Sequence, residues 1–238
     1  MREEAGGVRR RDGGAVYGRA WTYESIVGAI PGLDVPDRVA LVAQFALFEG
    51  FVLALAAIYG LWDAVPPATA AVVVATAGSA LMLDLGRRLR GADLPAAYTH
   101  VVFGSSVETV LGVLAYVALL TYLFAVDPHD GATLLGAWLG TPLPAPAVFL
   151  ALLVCWDVCY RIGVGWWAAV TAFWRAVAFD LDATTRDVVR AADRRIAAFG
   201  LLQLVLLPFL AAAPLLALAV GGHVVAVLVV VGAARVRS

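Results

Sequence analysis

Four ionisable side chains stand inside long apolar runs: Glu49, Glu108, Asp157 and Arg161. Each costs roughly 2.5–3.5 kcal/mol in hydrocarbon even on the lenient insertion scale, so each needs a reason to be there. Carboxylates and a guanidinium at such depth can do three kinds of work. They can clamp helices in register, line a path for a proton, ion or small solute, or form a catalytic carboxylate centre. Asp157 and Arg161, four residues apart, can pair directly on one helix. Glu108 at similar depth offers the guanidinium a second carboxylate, which leaves Glu49 without an assigned partner. Gly104 and Gly112 flank Glu108, Gly165 continues the Asp157–Arg161 stripe, and Gly50 adjoins Glu49. Small residues mark close helix approach, so these charges are expected to face protein rather than lipid.

Helical rise sets their depth. Counted from the residues at the inner membrane surface, Glu49 lies at about 16 Å, Asp157 at about 15 Å, Glu108 at about 12 Å and Arg161 at about 9 Å. Gln44, Ser79 and Gln203 fall at about 9 to 12 Å on the same count. These residues form one expected polar layer in the inner half of the membrane. Its foremost expected role is a clamp in a structural or regulatory membrane component. A small-solute transporter or a proton or ion conduit is the alternative, and a membrane-embedded enzyme comes last.

Other chemistry is excluded by residue counts. All 17 basic residues are Arg, and the chain has neither Lys nor Asn. No Schiff-base lysine and no P-loop lysine can exist. The three histidines, His100, His129 and His223, are too scattered for a metal centre, so neither metal nor cofactor is expected. Ser105-Ser106 and His223 fall in opposite halves of the membrane, and no G-x-S-x-G occurs, so no catalytic dyad is expected. Cys155 and Cys159 are read as packing residues: on a helix their Cβ atoms are about 6 Å apart, beyond disulfide reach. A net charge of −1 and the lack of a basic run argue against nucleic acid as a partner.

The elements that position the charged residues follow from composition. Of 238 residues, 62% are apolar and 15% charged, with a mean hydropathy of +0.88. A soluble domain carries about 25% charged residues, so the bilayer is the solvent to reason with. The reading is an all-α polytopic transmembrane bundle of six spans, at 39–62, 68–86, 101–126, 147–167, 196–213 and 214–234. Residues 1–38 form an expected cytoplasmic tail with a short interfacial helix from Trp21 to Ile30. An amphipathic cytoplasmic helix is expected over 181–195, with Thr184 and Asp187 as its capping box. The apolar stretch 134–139 is expected to lie on the bilayer surface. No cleaved leader is expected, because the first apolar run starts only near Val39.

Charge settles the orientation. With both termini inside and six spans, 16 Arg residues fall on cytoplasmic segments and Arg161 within the fourth span completes the 17. The outer loops hold no Arg, only Asp63, Asp127, His129 and Asp130. That parity obeys the positive-inside rule, and a prokaryotic plasma membrane is the expected location, with bilayer lipid as the expected partner.

Two segments carry a resemblance: Tyr23-Glu24-Ser25-Ile26-Val27-Gly28-Ala29, and Trp156-Asp157…Tyr160-Arg161…Gly163…Gly165-Trp166-Trp167. With them and its Lys-free, Ala- and Val-rich composition, the chain resembles a group of six-span membrane proteins from halophilic archaea. The resemblance implies the six-span architecture and no particular activity. One departure is the absence of a large acidic excess from the soluble segments.

Overall fold

The computed structural model describes Trp21, residues 36–127 and residues 133–237. Among these residues the chain is helical, without strands. Helix α1 spans Asp37–Tyr59 and stops at Gly60, which turns left-handed at φ 71 and donates its N–H to the Ala56 carbonyl. Glycine reaches that conformation without a Cβ clash, which makes it the natural terminator here. A short 3₁₀ turn, Trp62–Ala64, feeds α2, Val65–Arg90. Pro66 and Pro67 lie in the first turn of α2, where their missing N–H groups cost nothing. The helix therefore starts three residues before the expected span and continues to Arg90.

The expected helix over 101–126 is two helices. The first, α3, spans Ala96–Gly104 and the second, α4, spans Val107–Thr121, followed by a π-helical turn at Tyr122–Val126. Between them Ser106 adopts a left-handed φ of 53. Ser105 bonds back to the Val101 carbonyl at 2.7 Å, a local competition that weakens the helix at a Gly-Ser-Ser run. Beyond the outer connection, α5 spans Leu134–Leu139 and is capped by Thr133, whose Oγ1 accepts from the Gly136 N–H at 2.9 Å. Its Leu134, Leu135 and Leu139 are buried against the bundle instead of lying on a bilayer surface.

Helix α6 runs Ala145–Ala178, eleven residues past the expected end at Trp167. No Gly or Pro interrupts residues 166–178, and the aromatic pair is a position along the helix, not its end. At about 1.5 Å per residue α6 is roughly 50 Å long. It is the central element, packing against α1 to α4 and against the two helices that follow.

The expected helix over 181–195 and the expected span over 196–213 also merge. Helix α7 spans Ala183–Leu202 and tightens into a 3₁₀ stretch, Gln203–Leu210, before the turn that opens α8, Pro214–Arg237. Nothing between Arg195 and Ile196 breaks a helix, whereas Pro208 removes an amide donor from the later stretch. The cap is Asp182, which accepts from the Thr185 N–H at 3.0 Å, not the Thr184/Asp187 pair. Hydrogen bonding to Thr185 holds the Asp182 carboxyl below its ordinary range.

Among the described residues, five segments are long and apolar enough to cross a membrane: Asp37–Tyr59, Trp62–Arg90, Ala96–Val126, Ala145–Ala178 and Pro214–Arg237. The interfacial helix expected before α1 lies outside the described residues except for Trp21. That indole is fully buried, packs against Phe103 with the rings tilted and their centroids 5.0 Å apart, and donates to the Val102 carbonyl at 3.1 Å.

Candidate functional site

The polar network is built on three helices. Asp157 and Arg161 stand one turn apart on α6, with Nη2 of Arg161 at 2.9 Å from Oδ1 of Asp157. The second carboxylate oxygen accepts from Nε2 of Gln44 on α1, also at 2.9 Å. The Gln44 carbonyl in turn accepts from Ser79 Oγ on α2 at 2.9 Å, and Ser79 reaches the Ala75 carbonyl at 3.2 Å. Nη1 of Arg161 lies 2.7 Å from the Met82 sulfur. Ser79, Gln44, Asp157 and Arg161 thus form one continuous chain of polar contacts, and Arg161 is only 1% exposed. Helix α2 comes this close because it carries Gly78: a Cβ there would sit 2.6 Å from both Cβ and Cγ of Arg161.

Three more residues of the expected layer, Glu108, Glu49 and Gln203, have surroundings of their own. Glu108 is fully buried in the first turn of α4, where Thr109 Oγ1 lies 3.5 Å from its Oε1. A Cβ on Gly163 would meet the Glu108 carbonyl at 3.0 Å and the Gly112 nitrogen at 2.7 Å, so α4 presses on α6 two residues beyond Arg161. Glu49 does have a partner, Thr69 on α2, whose Oγ1 donates to Oε1 at 2.8 Å. The other oxygen of Glu49 is buried without a hydrogen bond among the described residues. Gln203 is buried at the start of the 3₁₀ stretch, with Oε1 unpartnered among the described residues. The thiols of Cys155 and Cys159 are free.

A second buried charge cluster has no counterpart in the sequence reading. Arg175 near the end of α6 donates from Nη2 to both oxygens of Asp193 on α7, at 2.8 and 3.0 Å. Its Nη1 lies 3.2 Å from the Tyr98 hydroxyl on α3. With the fourth span expected to end at Trp167, Arg175 counted only as one of the 16 cytoplasmic Arg residues, and no partner for it was expected. The usable signal was the heptad-like face Val189, Ala192, Ile196, into which Asp193 intrudes as an acidic residue. Asp84, by contrast, is partly exposed and takes Arg88 at 2.8 Å and Arg195 at 2.7 Å.

Apolar helices of membrane-spanning length, with the Asp157–Arg161 and Arg175–Asp193 pairs buried among them, are the construction of a helical membrane protein. Within that class the chain belongs to a family of unknown function, DUF7530, whose model matches residues 16–234. No curated protein and no solved structure matches the chain.

Proposed function

We propose that this chain is a structural or regulatory component of a prokaryotic plasma membrane, in which the polar layer acts as a clamp on helix packing. It crosses the bilayer six times with both termini in the cytoplasm. The distribution of Arg residues supports that parity, and so does the geometry of the segment 196–210. Seven α-helical residues at about 1.5 Å and eight 3₁₀ residues at about 2.0 Å reach roughly 26 Å, close to a hydrocarbon core of about 30 Å.

The observation that carries the clamp is the Ser79–Gln44–Asp157–Arg161 chain joining α1, α2 and α6. The void beside Gln44 and Asp157 has no space for a water molecule. A conduit needs a file of water or exchangeable sites at this level, whereas a clamp needs satisfied partners and dryness.

Thr76 lines that void and takes no part in the hydrogen-bond chain. Thr76→Cys, with Cys155→Ala and Cys159→Ala, therefore reports on the layer without breaking it. In intact membranes this thiol should resist a water-soluble maleimide and react only after unfolding in dodecyl sulfate. Rapid labelling of the native protein would overturn the clamp in favour of a water-filled path.

A further inference from the structure

Helix α6 carries a second distinctive face. Ala147, Ala151, Val154, Val158 and Ile162 follow one another at three- and four-residue intervals and form one wall of a cavity of about 570 Å³. That volume lies within the ~300–1,000 Å³ typical of small-molecule sites. The remaining walls come from α1, α2, α4, α8 and the 3₁₀ stretch, and Leu134, Leu135 and Trp138 of α5 cover one end. At the other end stand Ile162 and His223 of α8, the latter with its ring 6.0 Å from that of Trp166.

The shape and the chemistry of the lining restrict the occupant. The lining residues of α6 run from Ala147 to Ile162, fifteen helical steps or roughly 22 Å, so the space is elongated. That length suits an extended hydrocarbon chain. No charged residue lines the cavity. An ionised headgroup would be stripped of water there without compensation, which excludes phosphate and carboxylate. One polar atom does await a partner. Nε2 of His223 is buried and makes no hydrogen bond among the described residues, an arrangement that costs stability unless a ligand completes it.

We propose that this cavity binds a neutral single-chain lipid whose one hydrogen-bonding oxygen meets Nε2 of His223. The chain lies along the α6 wall under α5. The site goes beyond the clamp, since it shares neither its hydrogen bonds nor its test.

The probe is a diazirine-bearing hexadecanol added to the full-length protein in nanodiscs, with its hydroxyl-free hexadecane analogue as control. Light should attach the alcohol saturably to the α6 and α8 peptides that carry Val158 and His223, and unlabelled hexadecanol should compete. His223→Leu should weaken that competition roughly fivefold, the worth of one neutral hydrogen bond, while leaving the hexadecane analogue unaffected. Ala151→Trp should abolish labelling by filling the wall. If Ala151→Trp does not fold, Ala118→Phe fills the same space from α4 and decides the matter. Labelling that does not saturate, or that survives the filling variant, is contact with bulk lipid and overturns the site. Equal loss of alcohol and alkane binding in His223→Leu overturns the role of Nε2. A reactive Thr76→Cys thiol would overturn the clamp and leave this result standing.

Discussion

One guanidinium nitrogen of Arg175 donates to both carboxylate oxygens of Asp193, and neither side chain is more than 1% exposed. The two residues are 18 apart on different helices, so the pair ties the far end of α6 to α7. Tyr98 brings α3 into the same cluster. Together with the Ser79–Gln44–Asp157–Arg161 chain, it gives α6 two polar attachment points about 14 residues, or roughly 21 Å, apart. Both sit where apolar packing alone would leave neighbouring helices free to slide.

Removing one partner of the Arg175–Asp193 pair leaves a buried charge uncompensated. Asp193→Ala should cost about 3–5 kcal/mol, measured by equilibrium unfolding in mild detergent. The double variant Arg175→Met with Asp193→Leu should recover most of that loss. Strictly additive effects of the two positions would show that the pair does not act as a unit.

Gln44 holds two partners at once, so Gln44→Leu strips a hydrogen bond from the Asp157 carboxylate and one from Ser79. A loss of about 1.5–3 kcal/mol is expected, the range for bonds to charged groups. Ser79→Ala should cost less, about 1 kcal/mol, because the Gln44 amide still reaches Asp157. The reverse ranking in thermal unfolding would contradict the network order.

Two glycines on different helices should answer differently to the same change. Gly163→Ala places a Cβ 2.7 Å from a backbone nitrogen of α4, which cannot rotate away, and a penalty of about 1–3 kcal/mol is expected. Gly50→Ala meets nothing within 4 Å and should be neutral or gain up to about 1 kcal/mol from helix propensity. Comparing the two melting temperatures checks both claims.

Reporter fusions test the topology. Fusions after Arg90, Arg195 and Ser238 should read as cytoplasmic and a fusion after Asp130 as external. An external reading at Ser238 would reduce the spans to five and remove the crossing assigned to 196–210.

At Asp182 the sign of a pH effect follows from its depressed carboxyl. The capped helix start is favoured above the ordinary carboxylate range, and this stabilisation is lost as pH falls through the depressed folded value. Amide exchange at the first turn of α7 should therefore quicken on acidification in the wild type. Asp182→Asn keeps an accepting oxygen and should flatten that response. Equal acid sensitivity in both proteins would mean the cap is not what titrates.

Much of the architecture was legible along the chain. Apolar runs of spanning length and the Pro66–Pro67 pair mark the first two helices, and Pro214 marks the start of the last, because length, hydropathy and helix-breaking residues act locally. The i,i+4 relation of Asp157 and Arg161 was readable for the same reason: one helix sets it without help from others. The break at Ser106 was carried by Gly104-Ser105-Ser106, a signal that a hydropathy reading passes over since all three are compatible with an apolar run. Where helices meet was not readable. That Gln44 completes Asp157, that Thr69 answers Glu49, and that Arg175 finds Asp193 depend on rotation and axial shift of whole helices. Those are set by close approaches such as Gly163 on Gly112 and Gly78 on Arg161, which are properties of pairs of surfaces. The apolar cavity is the same kind of fact, since each of its walls reads as ordinary packing until the helices leave a space between them.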